Sequence, residues 1–99
     1  MSFDEILARV AIKHGLHIVD LLSRSRSLAV TDARSEYFFL ALNETPASSV
    51  EIGRSIGKDH TTVLYGAARH ALTHGLPIPR GSSPNRYRRG NGSQLDMIA

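Results

Sequence analysis

No cysteine occurs among the 99 residues. Disulfides and thiolate zinc sites are therefore excluded, and a reducing compartment is permitted. No apolar run approaches the roughly 20 residues that a membrane span requires, so no membrane association is expected. The start, MSFDEILARV, carries Asp4 and Glu5 and no apolar stretch behind basic residues, so a secretory signal is not expected either. There is no internal repeat, no strand-like alternation of any strength and no G-x-x-x-x-G-K-[ST] phosphate loop. His70 and His74 make a helical i,i+4 pair, and His14 and His17 a looser one. Neither pair is completed to three or four ligands, and histidines near a helix C-terminus complement its dipole. With no nucleophile–base pair at credible spacing, neither an enzyme nor a cofactor is expected.

What is present fits a small globular chain. Hydrophobic residues make up 41%, and the mean hydropathy is -0.16. The net charge of +3 hides a division. Residues 1–79 carry eight basic and eight acidic side chains, and residues 80–99 carry Arg80, Arg86, Arg88 and Arg89 against Asp96. The pI of 9.8 therefore describes the tail. Any argument for nucleic-acid binding by the folded part must rest on where its basic residues sit.

The periodicity predicts helices. Ser2 and Glu5 form a capping box, and Ile6, Leu7, Val10 and Ala11 make the apolar face of a helix over about 3–14. A short helix is expected around His17–Leu22, then a polar loop at SRSRS, 23–27. A long central helix is expected from Leu28 to about Leu42, ended by Asn43 and Thr45-Pro46. On it, Phe38 and Phe39 are not both expected to face the same core: one of them is either an exposed contact or a dimer surface, or, as is commoner, packs under a neighbouring helix. Ser48 and Glu51 form a second capping box, opening a brief helix over about 49–56. Gly57-Lys58 then turns into a last helix over about 59–74, ended by Gly75. The chain thus reads as an all-α domain over 1–76 and a flexible, basic Gly/Ser/Arg-rich tail over 77–99.

A short helix, a glycine turn and a longer helix make a helix-turn-helix pattern. In that motif the first residues of the second helix meet base edges in the major groove. Here they are Asp59, His60, Thr61 and Thr62. A carboxylate accepts from cytosine, a threonine methyl meets the thymine methyl, and histidine donates to purine N7 or to phosphate. The plainer reading is that Asp59 only caps the helix and the threonines merely tolerate its first turn. SRSRS likewise reads either as a solvated loop or as a minor-groove arm, where arginine favours A·T-rich DNA. Arg86-Tyr87-Arg88-Arg89 reads either as a phosphate-attracting tail or as a solubility tail.

The stretch Val50 to Tyr65, VEIGRSIGKDHTTVLY, resembles the signature of the C-terminal DNA-binding domain of the bacterial replication initiator DnaA. Ile18-Val19-Asp20-Leu21-Leu22-Ser23, with Arg24 and Arg26, resembles that family's short helix and basic loop. The likeness covers about residues 3–74. It implies a Trp-repressor-like all-α fold that binds the short duplex sites called DnaA boxes. By position, it implies base reading by Asp59, His60, Thr61 and Thr62, and minor-groove entry by Arg26. It implies phosphate contacts by Arg24, Arg34, Ser48, Ser49, Val50, Lys58 and Arg69.

There are departures. The turn Gly57-Lys58 is one residue shorter than the common Gly-Gly-Arg, and Ser25, Leu28 and Asp32 stand where many members have basic or polar residues. The family's ATPase module has no counterpart, so ATP binding and origin melting are not implied. The expectation is a stand-alone binder of double-stranded DNA in the cytoplasm, associated with the nucleoid, that regulates transcription or replication initiation. The alternative is an interaction module that kept the fold and binds a replication or transcription protein instead of DNA.

Overall fold

Serine followed three residues later by an acid starts two of the five helices among the described residues. The structure, a computed structural model, describes residues 2–79 and Gly81. In it α1 spans Phe3–Lys13, α2 Ile18–Leu22, α3 Leu28–Glu44, α4 Ser49–Ser55 and α5 His60–His74. No strand is present among the described residues. The Ser2 hydroxyl accepts from the Glu5 amide, and the Glu5 carboxylate accepts from the Ser2 amide. Ser48 and Glu51 repeat this reciprocal pair at the head of α4. Each cap satisfies amides that a helix start otherwise leaves unbonded.

The α3 helix runs two residues past the expected Leu42. It ends where the Thr45 hydroxyl donates to the Ala41 carbonyl at 2.7 Å and Pro46 follows. This helix packs against each of the other four. That placement bears out cover by a neighbouring helix and corrects only the expectation that its two phenylalanines could not share one core, because both belong to it. The Phe38 ring lies under Gly66, where a Cβ would come within 2.7 Å of it. One turn farther along α5, the Phe39 ring meets the His70 ring with centroids 4.9 Å apart. Two adjacent side chains find cover because α5 crosses both. Burying each ring contributes about 1.5–3 kcal/mol.

The core joins Ile6 and Val10 of α1, Leu21 of α2, Tyr37 and Leu42 of α3, Ile52 of α4 and Val63 of α5. Ile78 packs against the same cluster and Pro79 is buried, so the packed chain extends beyond the expected boundary at 76. The rest of the expected flexible tail, Arg80 and residues 82–99, lies outside the described residues.

A polar group is built into the α1–α3–α5 junction. Glu36 is buried, accepts from Lys13 Nζ at 2.8 Å and lies 2.9 Å from His14 Nε2. Burial pushes its carboxyl up, but the hydrogen bonds and charges of Lys13 and His14 outweigh this and hold it below its ordinary range. His70 is held low by burial, with a further contribution from the adjacent His74. The unfolded chain therefore takes up a proton at His70 that the folded chain resists. Stability should fall as pH drops below about 6.5, and fall again below about 4.3 as Glu36 is protonated. Thermal melts from pH 8 to pH 3 check this. His70→Gln should remove the first loss and keep the second.

Candidate nucleic-acid interface

The α4–α5 corner is closed by backbone alone. Gly57 adopts φ 72°, the left-handed region that glycine enters without strain. The chain then folds back so that the Lys58 amide donates to the Gly53 carbonyl at 2.8 Å. A Cβ on Gly53 would stand 2.3 Å from the Lys58 carbonyl oxygen, so only glycine fits there. Two glycines thus allow a tight turn between α4 and α5. The corner is tied to α3 by the Tyr37 hydroxyl, 2.6 Å from Ser55 Oγ. Ser55 gives its own proton to the Ile52 carbonyl, so Tyr37 is the donor.

At the head of α5, Asp59 Oδ1 accepts from the Thr62 amide at 2.8 Å. This backbone hydrogen bond holds the Asp59 carboxyl below its ordinary range, so the cap stays ionised at neutral pH. Capping is therefore one role of Asp59. His60, Thr61 and Thr62, in the first turn beyond it, are all exposed. A helix start with three solvent-facing polar side chains has the form that base reading needs.

The serine–arginine alternation of the second loop has a structural meaning. Ser23 Oγ donates to the Asp20 carbonyl at 2.7 Å, and the Ser25 amide donates to Ser23 Oγ. Ser27 caps α3 by accepting from the Val30 amide. The serines tie the loop to itself, and the intervening Arg24 and Arg26 are exposed. Beneath them lies Arg34, which is buried. Its Nε donates to the Leu21 carbonyl at 2.8 Å and Nη1 to the Ser25 carbonyl at 2.7 Å. Nη2 serves the carbonyls of Asp20 and Ser23. The sequence-based expectation for Arg34, a phosphate contact, thus meets a guanidinium committed to the loop backbone.

Between this loop and α5 lies a concavity of about 570 Å³. Arg24, Arg26, Arg34, Lys58 and Arg69 line it, with no acid among the lining residues. These are five of the eight basic side chains of a stretch whose net charge is zero. Thr62 and Tyr65 add hydroxyls on the α5 side and Thr31 on the α3 side, while Phe38 and Gly66 form part of the floor. Arg69 is held across the rim by Asp32 at 3.1 Å, so this carboxylate is matched by a cation.

The structure therefore brings Arg24, Arg26, Arg34, Lys58, Thr62 and Arg69 to one concavity. It sets Asp59, His60 and Thr61 at the adjoining end of α5, outside that lining. Ser48, Ser49 and Val50 sit apart at the start of α4, where the Ser48 hydroxyl is engaged in its cap. Thr31 and Tyr65 were not foreseen. Tyr65 is legible in hindsight, because positions 62, 65 and 69 share one helical face.

A comparison with known proteins decides the family. The model described as "Bacterial dnaA protein helix-turn-helix" matches residues 3–69. The chain belongs to this family. It is 38% identical over 72 residues to the chromosomal replication initiator protein DnaA of Chloroflexus aggregans, covering 72% of this chain and 15% of that protein. Against the DnaA of Caulobacter vibrioides strain NA1000 it is 39% identical over 85 residues, covering 77% and 17%. The DnaA of Jannaschia sp. is 33% identical over 70 residues, covering 70% and 15%. The chain thus spans only a small fraction of the relatives it matches. The DnaA helix-turn-helix match runs from α1 to Arg69, so it includes the loop, the turn and both walls of the concavity. Among the described residues no helix is long and apolar enough to cross a membrane.

Within this DnaA-type domain, Arg34 is the side chain on which the loop wall depends. Arg34→Leu leaves several carbonyls without their donor, and should cost on the order of 2–4 kcal/mol. Amide hydrogen exchange should show faster exchange at 23–27 than at α4 or α5. Uniform exchange across both regions would contradict the assignment.

Proposed function

We propose that this chain binds duplex DNA sequence-selectively at DnaA-box-like sites and performs no catalysis. The observation that carries the reading is the acid-free concavity with Arg24, Arg26, Lys58 and Arg69 on its walls. A duplex presents a ridge of phosphates between its major and minor grooves. With the first turn of α5 in the major groove and Arg26 in the adjacent minor groove, that ridge falls into the concavity. His60, Thr61 and Thr62 then face base edges, and Asp59 adds an acceptor that favours cytosine and repels misplaced phosphate. Arg24, Lys58 and Arg69 hold the ridge. Ser48, Ser49 and Val50 meet the neighbouring backbone through the start of α4. Arg34 contributes its charge from below while it positions the loop.

A domain that binds and does not react acts by occupancy. Its role on this reading is regulatory, at promoters or at sites of replication initiation, in the cytoplasm. The rival reading is a docking module for a replication or transcription protein. The observation on its side is the exposure of Ile12 and Val19, which share a shallow apolar surface with Ile18.

The test is affinity for a duplex carrying one DnaA box against a scrambled duplex. His60→Ala and Thr61→Ala should each cost about 1–3 kcal/mol on the box and little on the scrambled site. Equal losses on both duplexes would remove the base-reading role. Wild-type binding that is weak and indifferent to sequence would move the function to a protein partner.

A further inference from the structure

Arg69 stands on a partition between two recesses. One is the acid-free concavity. The other, of about 180 Å³, opens at the α1–α3–α5 junction beside Glu36 and His70. Arg69 and Ser35 line both recesses, whereas Asp32 lines only the second. Arg69 Nη2 lies 3.1 Å from Asp32 Oδ1, and Nη1 donates to the buried Ser35 hydroxyl at 3.4 Å. Both partners belong to α3, so the guanidinium is drawn from α5 toward the side of the partition where the carboxylate sits. Glu36, the other acid of the second recess, is already paired with Lys13 and His14. Asp32 is the acid that faces Arg69.

The other cations of the concavity differ. Arg34 is committed to backbone carbonyls, and among the described residues Arg24, Arg26 and Lys58 join no acid in an ion pair. A phosphate that reaches Arg69 must take its guanidinium from Asp32 and then meets the carboxylate's charge beside it. The pair is partly exposed, 36% and 47%, so it contributes little to stability and can open without disturbing the fold. Resting on the DNA-binding reading above, we propose that Asp32 is a built-in competitor of DNA phosphate for Arg69. It is a positioning residue and reads no base. It lowers affinity for every duplex alike and leaves the choice between sequences to the head of α5. An arginine already paired with a carboxylate exchanges one anion for another, so fewer counterions are released and the salt dependence is flattened. Residence on non-cognate DNA, where phosphate contacts supply nearly all the affinity, is shortened as a result.

The test uses the full chain and Asp32→Asn, which keeps the side chain's size and removes its charge. Each binds a box duplex and a scrambled duplex over a salt series. At low salt the variant should bind both about three- to ten-fold tighter, with the ratio between them unchanged. Its slope of log affinity against log salt should be steeper by about 1. Glu44→Gln makes the same charge change at the Arg9 pair on the α1–α3 side and should bind as wild type. In an Arg69→Gln background, Asp32→Asn should gain less than about two-fold. Wild-type affinity and slope for Asp32→Asn, with box selectivity intact, would overturn the competitor and leave the DNA-binding reading standing. A gain confined to the box duplex would overturn its indifference to sequence. Equal gains with and without Arg69 would overturn the competition for that guanidinium. An equal gain from Glu44→Gln would assign the effect to net charge and overturn the local role. No binding of either duplex by any chain would overturn both readings.

Discussion

One buried cation sets the shape of the DNA-facing side. The Arg34 guanidinium draws the carbonyls of Asp20, Leu21, Ser23 and Ser25 around itself. An arginine is retained as a charge even where burial lowers its pKa, so the clamp does not titrate at any ordinary pH. Leu21 packs α2 into the core, and Arg34 then fixes the serine loop against α3 and so sets the aim of Arg24 and Arg26. The opposite wall is set differently, by close backbone approach at Gly53 and by the seat of Gly66 on Phe38. The concavity exists because both walls are anchored to α3.

This division of labour separates the charges that hold the domain from those that face outward. Lys13 is paired with Glu36 and Arg9 with Glu44, both on the α1–α3 side. Arg69 is shared, since Asp32 restrains it at the rim. The exposed pairs, Arg9–Glu44 and Arg69–Asp32, contribute little to stability, about 0–1 kcal/mol. Their effect here is on orientation and on the field a phosphate would meet. A chain with zero net charge in its first 79 residues can still present a locally positive surface when its cations are sorted in this way.

The helices were legible because their start signals are local. Ser2 with Glu5, Ser48 with Glu51 and Asp59 with Thr62 are i,i+3 relations within one turn, written in the order of the residues. The helix-turn-helix and the family followed from contiguous strings. What escaped was set by packing between distant segments. Arg34 reads as a surface arginine until α2 is laid across it. Phe38 and Phe39 read as incompatible until α5 covers both. Residues 77–79 read as tail because Pro77 and Pro79 lead into a Gly- and Ser-rich stretch, yet Ile78 and Pro79 find cover on the core. Of the site, the polar run at the head of α5 was visible in order, and the pooling of basic residues around a concavity was visible only in three dimensions.

The most direct test of the account is a residue-resolved NMR titration of the isotopically labelled chain with a duplex carrying one DnaA box. The account predicts amide shifts that saturate together at Lys58 to Thr62, at Arg24 to Arg26 and at Tyr65 and Arg69, with α1 unmoved. Shifts centred on Ile12, Ile18 and Val19, or no saturable shift at either wall of the concavity, would contradict it.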